Sequence, residues 1–341
     1  MLYITTRNRH DAYTAHRAIH EDRAPDGGSY VPFRMPVCDE QMLSDWNKKN
    51  FGKIVADVLK MFVPADISGW DVDFSVGKNP VRLVKMGRRV TVAQLWRNSA
   101  EDYEGLEKAL ARLIYKDDSR PSEWVRVAIR ISFLAAALLQ MIQDDQNNVG
   151  AVDIAVTAGD FMTPIAVWYL RQAGFPVGKI ICSCNENSAV WDLLRMGEAR
   201  TDVAALRTDS SAVDAALPPQ MERLICGALG QDEAVYYSQV CQRGGMYKVA
   251  DEKRKLLQKD VYVAAVSNRR IDDLLQSVYT TNGCVVGPQT AMAYGGLLDY
   301  RARSGENRRT LLFEDRSPVL DKAIVSSATG LTESQLRENL A

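Results

Sequence analysis

The stretch Ala155-Val-Thr-Ala-Gly-Asp-Phe-Met-Thr163 decides the fold. Its first part, with Ile154, is a short apolar run that reads as a buried strand, and a helix pattern follows from Thr163 to Ala173. Asp160 stands just ahead of that helix and reads as its cap. The strand-then-helix unit recurs along the chain. Lys179 to Ser183 precedes Ser188 to Met196, Val261 to Val266 precedes Arg269 to Thr280, and Leu311 to Phe313 precedes Pro318 to Thr329. Repeated units of this kind imply an α/β fold with a mainly parallel sheet and helices on both faces.

Upstream, residues 1–88 read as a helical N-terminal unit, with an amphipathic helix over Asp11 to Ala24 and two helices between Gln41 and Phe62 broken near Asn50. Residues 89–115 hold a strand, Val90-Thr-Val-Ala-Gln-Leu95, and a helix from about Glu101 to Tyr115. Residues 116–123 are polar and proline-punctuated and read as a surface linker. Residues 124–341 are the large α/β domain, opening with a strong helix over Trp124 to Gln143. Its apolar run, Ile131 to Ile142, is too short to cross a bilayer and follows Arg126 and Arg130 on the same segment.

Composition narrows the function classes. The 341 residues are 46% apolar and 25% charged with a net charge of -1, which gives no reason to expect a nucleic-acid or anionic-membrane partner. The N-terminus lacks the apolar core of a signal peptide, and six scattered cysteines suit reduced thiols, so a cytoplasmic location is expected. All three histidines (His10, His16, His20) lie in the first twenty residues, which excludes a histidine base from the body of the chain and makes Ser-His-Asp or Cys-His schemes untenable. His16 and His20 would share a helix face, but no further ligand at suitable spacing completes a metal site, and none is expected.

Several segments, in order, resemble threonine synthase, a fold type II enzyme that depends on pyridoxal phosphate (PLP). Arg23-Ala-Pro-Asp-Gly-Gly-Ser-Tyr-Val-Pro32 and Asn50-Phe-Gly-Lys-Ile-Val55 are similar to the family's opening. The stretch at Ala155 is placed like its S-V-P-T-G-N-F-G-N loop. Ala173-Gly-Phe-Pro-Val-Gly-Lys-Ile180, Cys184-Asn-Glu-Asn187, Leu217-Pro-Pro-Gln-Met-Glu-Arg-Leu224 and Gly287-Pro-Gln-Thr-Ala-Met-Ala-Tyr294 follow in family order, and Thr329-Gly330 resembles its closing motif.

The resemblance implies a PLP site, and each part of that site is altered. After Val90 to Leu95 the family has a lysine that forms the Schiff base. Here Trp96-Arg-Asn-Ser-Ala-Glu-Asp-Tyr-Glu-Gly105 places Tyr103 at the lysine position, or Asp102 with the gap moved. Neither side chain forms an imine. Lys108 and Lys116 lie too far along the helix to substitute, Lys108 by about 7 Å. The phosphate loop is reduced to Thr157, Gly159, Asp160 and Thr163, with a carboxylate where a phosphate dianion would sit. Glu314 and Asp315 fall where the family has small hydroxyl residues. The linker 116–123 stands in place of the family's small domain, which carries the loop that holds the substrate carboxylate.

The expected function is therefore a non-catalytic binding or partner protein with no catalytic residue and no cofactor. A homodimer or another protein would cover the face left by the missing domain, with Trp96, Tyr103, Phe161, Met162 and Trp168 as candidates. One alternative is a PLP-independent enzyme or metal-binding protein using Asp102, Asp160, Asn185, Glu314 and Asp315 at the ancestral site. A second is a PLP-dependent lyase completed by another chain.

Overall fold

The computed structural model describes residues 1–97, 101–145 and 150–340. Among the described residues, eleven strands form three sheets. A small antiparallel sheet of β1 (Leu2–Thr5), β2 (Tyr13–Thr14) and β3 (Tyr30–Pro32), in the order β2-β1-β3, belongs to the N-terminal unit. The main sheet takes β4 (Arg82–Lys85), β5 (Val90–Gln94), β6 (Val152–Thr157) and β7 (Val177–Cys184). A two-stranded ribbon of β8 (Glu198–Arg200) and β9 (Met246–Lys248) follows, and β10 (Val261–Ala265) and β11 (Thr310–Glu314) complete the main sheet.

The order of the main sheet is β10-β7-β6-β11-β5-β4, with all pairs parallel except β4 against β5. All of β5 and β11 is buried, as strands covered on both faces should be. The strand Arg82–Lys85, grouped with the N-terminal unit by sequence, hydrogen-bonds to β5 as the sheet edge. The last strand, β11, lies between β6 and β5, so segments far apart in sequence end side by side at its C-terminal edge. Open parallel sheets bind ligands at such edges.

The helix Glu123–Gln143 is apolar nearly all round and lies inside the molecule, capped by Ser122, whose Oγ accepts from Val125 N at 3.3 Å. Among the described residues it is the one helix long and apolar enough to cross a membrane, and the fold buries most of it. Helices Phe51–Phe62 and Gly69–Val76 pack close together through two glycines. A Cβ on Gly52 would lie 2.7 Å from the Gly69 carbonyl oxygen, and one on Gly69 would lie 2.8 Å from Lys53 Cα.

The structure departs from the sequence expectation in several places. The helix over Asp11 to Ala24 is limited to Ala15–His20, because Tyr13 and Thr14 pair with β1 and the Tyr13 ring packs edge-on against Tyr30. The helix expected from Glu101 begins at Glu104, because Glu101 has a left-handed φ of 69° and Asp102 bridges to Arg316. Between residues 197 and 260, where no element was expected, lie β8, β9 and the helices Met221–Leu229, Gln231–Arg243 and Asp251–Asp260.

Candidate functional site

The C-terminal ends of β5, β6 and β11 frame a small cleft of about 270 Å³. Beyond β5 and β11 the two chains stay paired. Leu95 N donates to the Glu314 carbonyl at 2.9 Å, Tyr103 N to the Asp315 carbonyl at 2.7 Å and Ser317 N to the Glu101 carbonyl at 2.8 Å. Residues Asn98 to Ala100, within the stretch compared with the family's lysine motif, lie outside the described residues.

Paired in this way, Tyr103 enters the interior and is 2% exposed. Its ring stands edge-on to Phe133 with centroids 6.0 Å apart, and the Arg130 guanidinium carbon lies 3.7 Å over its face. Burial raises the phenol well above its usual range, and its Oη has no hydrogen-bond partner among the described residues. Arg130 projects from the buried helix Glu123–Gln143. Its Nη1 donates to Asp315 Oδ2 at 2.6 Å and to Thr163 Oγ1 at 3.0 Å. Burial works against the charge of Arg130, but Asp315 above all outweighs it and holds the guanidinium above its ordinary value.

The other charges of the cleft are paired as well. Arg126 Nε donates to Glu107 Oε1 at 2.8 Å, and Arg316 Nη1 to Asp102 Oδ2 at 3.0 Å. Asp160 Oδ1 accepts from Met162 N at 2.9 Å, so it caps the helix Met162–Gln172 as its position in the sequence suggests. Gly159 (φ +46°) makes the turn beneath it, and Val213 lies across that glycine.

The predicted site residues separate into three places. Asp102, Tyr103, Thr157, Gly159, Asp160, Thr163 and Asp315 line the cleft together. Asn185 lies beside it in a second, narrower cavity. There its Nδ2 donates to Asp214 Oδ1 at 2.7 Å and to Thr208 Oγ1 at 2.9 Å, fixing the 206–214 loop over the cleft. Glu314 is elsewhere. It points to the opposite side of its strand, 2% exposed, and accepts from Trp96 Nε1 (3.0 Å), Gln94 Nε2 (3.1 Å), Gly287 N (3.0 Å) and Thr290 Oγ1 (3.2 Å). Burial raises its carboxyl above the usual range, and these donors pull the other way.

Arg130 is the residue that sequence reasoning missed. Its signal was a cation set between the apolar neighbours Ile129 and Ile131.

Five residues expected to form an exposed face are core instead. Trp96, Tyr103, Phe161, Met162 and Trp168 are each no more than 7% exposed. Trp96 packs into the C-terminal cluster of Val325 and Leu336, and Trp168 lies against Gly227 with its Nε1 donating to Asp260 Oδ2 at 3.2 Å. No group of three or more His, Cys, Asp or Glu side chains suited to a metal occurs among the described residues.

The residues present do not fit PLP. No lysine lines the cleft among the described residues, and Tyr103, one of the two residues compared with the family's lysine, is a sealed phenol. Lys108 is exposed and pairs with Glu104 on the outer side of its helix, and Lys116 is an exposed C-cap. One amide of the helix N-terminus, Met162 N, is already taken by Asp160.

With this geometry in hand, comparison with known proteins places the fold. It is the fold type II architecture. Over 97% of this chain and 92% of the other, it matches the PLP-bound threonine synthase of Brucella melitensis with a TM-score of 0.81 at 15% identity. The yeast threonine synthase matches over 99% and 94% with a TM-score of 0.83, also at 15% identity. A family model described as "Threonine synthase N terminus" matches residues 2–76. Threonine synthase-like 1 of Macaca fascicularis is 27% identical over 177 residues, which are 50% of this chain and 23% of that protein. The threonine synthase of Corynebacterium glutamicum is 26% identical over 164 residues, 45% and 33% of the two chains. The chain thus spans about a quarter to a third of the length of these curated relatives. The family model covers residues 2–76 and the curated relatives align over half of this chain or less, so the sequence likeness is partial, while the fold is that of threonine synthase over nearly the whole chain.

Proposed function

We propose that this protein keeps the threonine synthase scaffold without PLP catalysis and acts by binding. The observation that carries this is the Tyr103–Arg130–Asp315 cluster. A buried phenol, stacked under an ion-paired guanidinium, takes the place where the family's chemistry needs a free amine. Two further features support it. The remaining cleft of about 270 Å³ falls below the usual range for small-molecule sites, and each of its charged groups is already partnered within the protein. The helix Glu104–Tyr115 passes to Glu123–Gln143 through the short segment 116–122, the position at which we place the loss of the small domain.

The acid-site alternative gains nothing from this arrangement, since Asp102, Asp160 and Asp315 each serve a neighbour and Glu314 lies apart. A protein partner or second copy and a cytoplasmic setting remain part of the proposal.

The test is an absorption spectrum of the purified protein with added PLP, then borohydride reduction and peptide mass mapping. The expected outcome is no band in the visible internal-aldimine region and no reduced adduct. A stoichiometric adduct on one lysine, Lys108 above all, overturns the proposal.

A further inference from the structure

A larger open pocket lies at the other end of the sheet. It has about 490 Å³, within the range of small-molecule sites, and it sits at the N-terminal ends of β5 and β11, away from the ancestral cleft. Two stretches separate in sequence build it. One is the turn Lys85-Met86-Gly87-Arg88-Arg89 between β4 and β5, and the other is the start of β11 at Arg309. Thr310 pairs with Val90, and Thr310 N donates to the Arg89 carbonyl at 2.8 Å, which holds the two stretches together.

The turn is rigid. Met86 is 2% exposed, its N–H bonds the Val90 carbonyl at 2.8 Å, and Gly87 takes a left-handed φ of +87°. Lys85, Arg88 and Arg89 are thus held at the pocket. None of the three has a carboxylate partner among the described residues, and Arg89 makes only a donor bond to the Asn307 carbonyl at 2.9 Å. Arg309 lies deeper, 6% exposed, with Asp145 Oδ2 at 3.5 Å. Against these four cations the pocket presents Asp144 and Asp145.

The chain as a whole carries a net charge of -1, and the cations of the ancestral cleft are paired with carboxylates. Three unpaired ones on a fixed turn make a directed field. Arginine forks match phosphate oxygens in a bidentate way, and Leu83 and Met141 add an apolar wall. We infer that this pocket binds a small organic molecule through a phosphate or diphosphate group. The inference does not depend on the fate of PLP chemistry at the other edge.

The experiment is titration calorimetry of the whole chain with ATP, inorganic pyrophosphate and adenosine, at about 50 and 200 mM salt. Binding of ATP and pyrophosphate but not adenosine is expected, weakening at the higher salt. The doubly exposed variant K85E/R88E should fold normally and weaken binding by about tenfold or more, while K108E/R112E on the opposite side leaves it unchanged. No heat with either anion overturns the inference. So does equal loss in the two variants, which would reduce the effect to overall charge, and so does binding that K85E/R88E leaves intact.

Discussion

Asp315→Asn is the sharpest probe of the cluster that fills the old cleft. Breaking a buried ion pair by removing one partner costs about 3–5 kcal/mol, because the other charge stays buried and unpaired. Here the partner left behind is Arg130, whose side chain is 9% exposed, while that of Asp315 is 36% exposed. Water reaching the open side of residue 315 reduces the cost to about 2–3 kcal/mol. Arg130→Met leaves a carboxylate that solvent can reach, so the cost falls to about 1–2 kcal/mol, part of it the lost contact with the Tyr103 ring. In the double variant no charge is stranded, and it should cost no more than Arg130→Met alone. The coupling is then about 2 kcal/mol. For 341 residues the unfolding entropy is about 0.7 kcal/mol/K, so Asp315→Asn should lower the melting temperature by about 3–4 °C and the double variant by about 2 °C. Scanning calorimetry on all four proteins reads this directly. If the two single effects simply add, the groups are not coupled and the plug described above is wrong.

Two other perturbations examine the same region. Tyr103→Phe keeps the ring under Arg130 and removes a buried hydroxyl without a partner, so stability should hold or rise by about 1 kcal/mol; a loss of that size would mean the hydroxyl is satisfied after all. Glu314→Gln must turn its NH₂ toward one of two donor pairs, Gly287 with Thr290 or Gln94 with Trp96, and should cost about 1–3 kcal/mol. Because burial raises the Glu314 carboxyl in the folded protein, its contribution is complete below the ordinary glutamate range and declines as pH rises through the raised value. The melting-temperature gap between wild type and Glu314→Gln should therefore narrow with rising pH just above that range, and a widening gap would refute the assignment.

The sheet was legible because buried parallel strands are short apolar runs with a helix after each, and β5, β6, β7, β10 and β11 all carry that pattern. The helix cap at Asp160 was legible for the same local reason. Glu314 and Asp315 were grouped as neighbours in sequence, although successive residues of a strand point to opposite faces. One lands among backbone and indole donors and the other in the cleft. Residues 197–260 escaped because their helices are mixed in polarity; Asp251–Asp260, for example, buries only Leu257. Arg130 was visible as a cation between apolar neighbours, but its partners at Tyr103 and Asp315 are distant in the chain and only the fold brings them to it.

The resemblance to threonine synthase lives in residues that hold the scaffold together. Arg23, from the opening motif, donates to Glu123 Oε1 at 3.1 Å, and Arg223, from the Leu217 to Leu224 motif, approaches Glu123 Oε2 at 3.4 Å while fully buried. Arg7 meets Glu222 of the same motif at 2.9 Å, and Thr6 bonds it as well. Gly52, from the Asn50 to Val55 motif, permits a helix contact that a methyl group would block. None of these groups reaches the ancestral cleft. In the cleft, Thr163 and Asp315 are bonded through Arg130, and Asp102 through Arg316. A site that had only lost its lysine would leave polar groups and phosphate-binding amides unfilled inside the protein, each at a cost of about 1–3 kcal/mol. Asp160 on the Met162 amide and Asp315 on Arg130 fill two such places from within, whereas Tyr103 Oη, Arg130 Nε and Asp315 Oδ1 have no partner among the described residues.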